Sequence, residues 1–186
     1  MKRQIRKSVF ETNSSSTHAI CISKDMVDKT NLPSHVIFTH DEFGWEFNVH
    51  ADTWTKASYL YEAIFECYYE DIDERQEKLD KVAELLKEYN IECYFEPTKD
   101  LKWGDGYIDH GDDTIDFVNA VLDDGEKLIT YLFGNSFVVT GNDNGNSYND
   151  YMYTNKGEIV TDWGTYTDYG DLKPEFDNYE IYEKGN

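Results

Sequence analysis

The sequence predicts an α+β fold, in which an N-terminal β-hairpin and about three helices pack on a mostly antiparallel sheet. Short segments rich in β-branched and aromatic residues stand towards both ends of the chain, and apolar residues at helical spacing occupy its middle. No internal repeat of fixed period is visible, and 186 residues are enough to bury a core without disulfides. We therefore expect a single domain over residues 1–186.

The first 23 residues are predicted to form the hairpin, with strands at 2–10 and 17–22 and a loop at 11–16. Apolar residues in both strands flank a cluster of asparagine and serine, which favours a turn. If Glu11 lies opposite Ser16, alternation along each strand sorts the side chains onto two faces. One face then carries Ile5, Lys7, Val9, His18, Ile20 and Ile22, and the other carries Arg6, Ser8, Phe10, Thr17, Ala19 and Cys21.

Three segments have the apolar spacing of amphipathic helices. The first is 55–70, the second begins with a capping-box pattern at Asp73 and ends near Asn90, and the third is 114–123. Residues 127–133 fit helix and strand equally well, and the sequence leaves that choice open. Strands at 36–39 and 45–49 are predicted around an Asp-Glu-Phe-Gly turn at 41–44, and a strand at 91–96 is predicted before Pro97. Towards the C-terminus, strands are predicted at 137–140, 148–154 and 158–163, with an Asn-Gly turn signal at 144–145.

Charge is distributed unevenly along the chain. The protein has 38 acidic and 17 basic residues, a net charge of −21. Residues 1–40 hold six cations and three anions, so the remaining residues carry −24. Because attraction to phosphate dominates affinity for nucleic acid, we expect weak intrinsic binding to RNA or DNA. The acidic body either docks on a basic partner or serves only to keep the protein in solution.

The cysteine pattern and the hydropathy pattern indicate the cellular compartment of the protein. Three cysteines, without a C-x-x-C pair and without a signal peptide before them, predict neither a disulfide framework nor a structural zinc site. No apolar run approaches the roughly 18 to 20 residues that span a bilayer. We therefore expect a cytoplasmic protein with no membrane contact and no cofactor.

The candidate site lies in the loop of the predicted hairpin and beside it. Histidine exchanges protons near neutral pH, cations neutralise phosphate, and hydroxyl and amide groups donate hydrogen bonds to developing negative charge. The candidates are Arg6, Lys7, Glu11, Asn13, Ser14, Ser15, Ser16, Thr17 and His18. The alternative is structural: a half-buried strand histidine with both nitrogens satisfied, and an Asn-Ser-Ser-Ser sequence that only makes a good turn.

Two other clusters are weaker candidates. Asp105, Asp109, His110, Asp112 and Asp113 offer hard oxygen ligands for a divalent cation, although an acidic loop that caps the helix at Thr114 explains them as well. Five tyrosines in an acidic context favour a protein interface over stacking on bases: Tyr148, Tyr151, Tyr153, Tyr166 and Tyr169.

The stretch from Arg6 to His18, with Val-Phe-Glu-Thr-Asn-Ser-Ser-Ser-Thr-His at its centre, resembles an N-terminal segment of proteins from phages and mobile elements. Among these, the chain is similar to the anti-CRISPR proteins that disable type II-A Cas9 by causing truncation of its guide RNA. The resemblance covers about the first 22 of the 186 residues. It implies an N-terminal hairpin that is needed for RNA cleavage, with Cas9 and its guide RNA as partners in the bacterial host cytoplasm.

The implied mechanism needs no metal. A ribose 2′-OH attacks the adjacent phosphate, His18 or Glu11 takes its proton, and Arg6 or Lys7 stabilises the phosphorane. Two alternatives stay open: a non-enzymatic acidic mimic of nucleic acid that blocks a basic groove, and a metal-dependent nuclease built on the 105–113 cluster.

Overall fold

The computed structural model describes residues 16–44, 46, 48–98, 105–109, 114–142 and 178–184. Within these ranges the chain forms four α-helices and eight strands, which confirms the predicted α+β class. The largest sheet is antiparallel, and two small sheets are parallel.

The antiparallel sheet has four strands in the order β4-β7-β1-β8. These strands are β1 (Ser16–Ser23), β4 (Asn48–His50), β7 (Phe137–Asn142) and β8 (Tyr179–Lys184). One face of β1 presents Ile20 and Ile22 to the main core, which also contains the helices. The other face packs Ala19 and Cys21 in a smaller cluster with residues of β7. The two faces predicted for the second hairpin strand are therefore confirmed in the described part of the chain.

Two described strands flank β1. Over residues 18–21, β1 pairs with β7 on one edge and with β8 on the other. Residues 2–10 and most of the loop at 11–16 lie outside the described residues. The predicted hairpin pairing of β1 therefore stays a prediction.

Helix α1 (Thr53–Cys67) forms the centre of the core. It begins after Asp52, whose side chain accepts a hydrogen bond from the Thr55 amide. Its residues are buried without interruption from Lys56 to Phe65, so neighbouring elements surround the helix over most of its length. The helix ends three residues before the predicted boundary at 70. The prediction overshot because apolar spacing alone does not define the last residue of a helix.

The buried amine of Lys56 ties α1 to the start of β7. Its Nζ donates to the Gly134 carbonyl at 3.1 Å and to the Ser136 carbonyl at 3.0 Å. Burial lowers the pKa of Lys56 to about 8, although the negative charge of Asp52 acts to raise it. The amine is thus satisfied by backbone oxygens inside the fold.

Helix α2 (Ile72–Lys87) begins one residue after Asp71, whose side chain accepts a hydrogen bond from the Glu74 amide at 2.9 Å. The predicted cap at Asp73 is therefore wrong, because Asp73 already lies in the first helical turn. Asn90, with a φ of 61°, reverses the chain after the helix, a conformation that asparagine tolerates better than most residues.

Helix α3 (Ile115–Asp123) agrees with the predicted third helix. Residues 127–133, which the sequence left open, belong to helix α4 (Gly125–Phe133). Asp124 separates the two helices and caps α4, because its side chain accepts from the amides of Glu126 and Lys127.

The small sheets are β2 (His35–Phe38) with β5 (Glu92–Phe95), and β3 (Glu42–Phe43) with β6 (Tyr107–Ile108). The predicted turn at 41–44 is thus partly a strand, and β2 pairs with β5 and not with β4. Strand β7 covers the predicted 137–140, whereas the segments predicted at 148–154 and 158–163 lie outside the described residues.

Candidate functional site: a polar cleft beside His18

A small polar cleft lies where the antiparallel sheet meets the β3–β6 pair. Its volume is about 200 Å³. The side chains around it are mostly polar, and the complete lining is Glu42, Phe43, Gly44, Glu46, Asn48, His50, Tyr107 and Thr140. His18 lies directly behind this lining, so the cleft is close to the one predicted site residue with acid–base chemistry that the structure describes.

Strand register explains why polar groups gather at this end of the sheet. His18 of β1 lies opposite Thr140 of β7, which in turn lies opposite Asn48 of β4. Residues that lie opposite each other share a face of the sheet, so these three form a polar row. The next row on the same face begins with Ile20 and Val138, which belong to the main core.

The β3–β6 pair closes the cleft from the other side. The Phe43 ring packs edge-on against His50, with the ring centroids 5.4 Å apart, and against buried Tyr59 at 4.9 Å. The Asp109 amide donates to the Phe43 carbonyl at 2.9 Å, which ties the end of β6 to β3. These contacts fix the position of Phe43 in the wall.

A side-chain hydrogen bond ties Glu46, which lies shortly before β4, to the antiparallel sheet. The Thr140 hydroxyl donates to the Glu46 carbonyl at 2.6 Å. Glu46 is therefore kept against the sheet, at the rim of the cleft.

His18 is buried and held by hydrogen bonds at both ring nitrogens. Only 2% of its surface is exposed. Its Nε2 lies 2.8 Å from the Gly44 carbonyl oxygen, and its Nδ1 lies 3.0 Å from the Tyr59 hydroxyl. Because a carbonyl can only accept, Nε2 donates to Gly44, and the hydrogen bond between Nδ1 and Tyr59 holds the other side of the ring. The arrangement holds Gly44 in the wall of the cleft.

The other predicted site residues are placed less centrally. The buried Ser16 hydroxyl donates to the Asp109 carbonyl at 2.8 Å, on the same face of β1 as His18. Thr17 is half-buried and lies on the opposite face of the strand. The remaining candidates lie outside the described residues: Arg6, Lys7, Glu11, Asn13, Ser14 and Ser15.

His50 is a functional candidate that the sequence did not reveal. It is half-buried and lines the cleft. Burial lowers the pKa of His50, whereas the negative charges of Asp41 and Asp52 act to raise it. At neutral pH its ring is therefore uncharged and can accept a proton or a hydrogen bond. No local motif marks this residue, because only the pairing of β4 with β7 brings it to the cleft.

The lining of the cleft determines which ligands it can take. It includes two carboxylates, from Glu42 and Glu46, together with the neutral ring of His50 and the phenol of Tyr107. None of the described residues that line it is a lysine or arginine. Such a surface attracts an ammonium or guanidinium group and repels a phosphate.

A buried acid–base pair lies beyond the same loop. Glu62 Oε1 lies 2.7 Å from His40 Nδ1 and accepts from the Asp41 amide at 3.2 Å. The Glu62 side chain is fully buried, and its Oε2 has no hydrogen-bond partner within the described chain. Burial raises the pKa of Glu62 to about 7, although the hydrogen bond and charge of His40 oppose the rise. Gly106 packs so closely that a Cβ there would lie 2.4 Å from Oε1.

The predicted metal cluster is only partly described. Asp105 and Asp109 flank strand β6, whereas His110, Asp112 and Asp113 lie outside the described residues. Across the described ranges, no three histidine, cysteine, aspartate or glutamate side chains are grouped to hold a metal ion.

Comparisons with protein-family models, curated proteins and solved structures found no match to this chain. No helix in the described part of the chain combines the length and the apolar character needed to cross a membrane.

Proposed function

We propose that this protein inhibits a type II-A Cas9 by docking its acidic body on the basic nuclease, in the bacterial host cytoplasm. The observation that carries the proposal is the charge distribution: residues 41–186 carry −24 and residues 1–40 carry +3, which together give the net −21. A cleft that selects cations over phosphate adds to this, because it offers a receptor for a lysine or arginine of the partner.

Charge complementarity accounts for the choice of partner. An RNA-guided nuclease holds its heteroduplex in a positively charged channel, and an acidic protein competes for that channel. The opposite charges speed association and fix orientation, and their effect falls as salt rises, with a screening length of about 8 Å at physiological ionic strength. RNA already bound to the nuclease would then lie near the cationic segment that contains Arg6 and Lys7.

Guide-RNA truncation is the second part of the proposal, and it rests on the resemblance of residues 6–18. Since His18 is buried and both ring nitrogens are engaged, we assign it a positioning role behind the cleft. Glu11 is then the proton acceptor, and Arg6 or Lys7 stabilises the phosphorane. The burial of His18 equally favours the second candidate, a stoichiometric inhibitor that blocks the nuclease without cutting RNA.

The experiment mixes the purified protein with Cas9 and guide RNA and measures complex formation, DNA cleavage and RNA length in parallel. We expect a salt-sensitive complex, loss of DNA cleavage and shortened RNA. Full-length RNA with blocked DNA cleavage supports the stoichiometric inhibitor, whereas unimpaired DNA cleavage and no complex overturn both. Glu11→Gln and Arg6→Ala should each slow the RNA shortening and leave the complex intact, with Glu77→Gln on the exposed face of α2 as the control.

A further inference from the structure

The pair of strands β2 and β5 has an unusual position for a parallel sheet. Parallel strands are normally covered on both faces and belong to larger sheets. Here the sheet has two strands, and within the described part of the chain neither outer edge carries a further strand. Ile37 and Tyr94, which lie opposite each other in the register, are 36% and 52% exposed on its outer face.

The hydrogen-bond pattern shows which backbone groups of β5 face away from β2. The amides of Glu92 and Glu96 donate to carbonyls at the two ends of β2, at 2.9 and 2.8 Å. In a parallel ladder alternate residues point to the same neighbour, so the residues between them point away from it. Cys93 and Phe95 therefore direct their N–H and C=O groups to the outer edge.

A groove of about 600 Å³ runs along this edge, between β5 and helix α2. No residue of β2 lines it, which places it on the outer side of β5. Small and apolar side chains line it together with polar ones, and the complete lining is Ala83, Lys87, Asn90, Ile91, Glu92, Cys93 and Tyr94. An added strand would thus point alternate side chains towards Ala83, Ile91 and Cys93 and towards the exposed Glu92.

We infer that the outer edge of β5 binds an extended segment of a basic protein partner, in which cationic and apolar residues alternate. The segment bonds to the backbone of Cys93 and Phe95, its apolar side chains enter the groove, and its cations lie beside Glu92. Strand addition supplies affinity through the main chain, and the alternating side chains supply specificity.

Charge decides between this occupant and the others. A second copy of the chain carries the same net charge of −21, which opposes pairing of this edge with itself. Nucleic acid would bring phosphates against the Glu92 carboxylate. The basic partner is the one in the proposed function, and this site would give it a second contact with the protein. The inference rests on the proposed function in this choice of partner. The test uses no Cas9, so its failure and the failure of the proposed function are separate results.

Amide hydrogen exchange of the full-length protein tests the inference with a peptide of alternating lysine and valine. We expect the peptide to slow exchange at the amides of Cys93 and Phe95, while those of Glu92 and Glu96, already bonded to β2, change little. A peptide of alternating lysine and proline has the same charge but lacks half of the amide donors, and it should not protect them.

Glu92→Lys should weaken peptide binding several-fold, whereas Glu77→Lys, the same charge change on the exposed face of α2, should have a smaller effect. Equal protection by both peptides would overturn the strand-addition site. Binding that leaves Cys93 and Phe95 unprotected would do the same. Protection that grows with protein concentration in the absence of peptide would identify a second copy as the occupant and refute the basic partner.

Discussion

The buried Glu62 carboxyl makes the stability of the protein depend on pH in a predictable direction. Its pKa rises from an ordinary 4.5 to about 7 in the folded state. Between these values the folded protein holds a proton that the unfolded chain has released, so the free energy of unfolding falls as pH rises. At about 1.4 kcal/mol per pH unit, the contribution of Glu62 that is lost across this window is about 3 kcal/mol.

Glu62→Gln removes the ionisation and keeps an oxygen that can accept from the Asp41 amide. We expect the wild-type free energy of unfolding, measured relative to this variant, to decrease by about 3 kcal/mol between pH 4.5 and pH 7. Urea denaturation followed by circular dichroism, repeated at several pH values across the window, gives both curves. The control is Glu77→Gln, which removes an exposed carboxylate from α2.

The comparison removes the background of the other carboxylates, which titrate in both proteins. If the wild-type and Glu62→Gln curves run parallel across the window, Glu62 does not hold a proton in the folded state and the reasoning fails. If Glu77→Gln shows the same pH-dependent difference, net charge and not burial is responsible.

Three further predictions concern the caps, the cleft and the chemistry. Asp71→Ala should destabilise the protein by about 1 kcal/mol and Asp73→Ala by clearly less, because Asp71 accepts a hydrogen bond from the Glu74 amide. Equal losses of stability for the two variants in thermal unfolding would contradict this. Tyr59→Phe removes the hydroxyl that is hydrogen-bonded to His18 Nδ1 and should cost about 1 to 3 kcal/mol in urea denaturation. An unchanged midpoint would show that this hydrogen bond does not stabilise the fold. RNA shortening, where it occurs, should persist in EDTA; a loss that Mg²⁺ or Mn²⁺ restores on a gel would favour the metal-dependent alternative.

Local patterns in the sequence predicted the helices well. The segment 55–70, for which apolar spacing predicted a helix, contains most of α1, and its apolar residues Ala57, Leu60 and Ile64 are buried. Periodicity over four turns carries this information within the helix itself, so no knowledge of distant residues is needed. Helix α4 remained ambiguous because a short apolar segment fits both periods.

Strand partners and the candidate site could not be predicted in the same way. The hairpin prediction paired β1 with its neighbour in sequence, whereas its described partners are β7 and β8. The same long-range pairing brings His50 to the cleft and buries His18. Neither placement can be predicted from the residues that neighbour these histidines in the sequence. Glu62 was missed because a carboxylate on a helix is normally exposed, and its burial depends on the close approach of Gly106.

The central position of β1 has a consequence for the newly made chain. Ser23 pairs with Tyr179, so one edge of β1 lacks its strand until residue 179 has been translated. At about 5 to 20 residues per second, synthesis of the intervening chain takes roughly 10 to 30 seconds. During that time Ala19 and Cys21 belong to an apolar strand with an open edge, the kind of segment that associates with other nascent chains. We therefore expect the yield of folded protein to depend on chaperones that shield residues 16–23 on the ribosome, or on slow expression at low temperature.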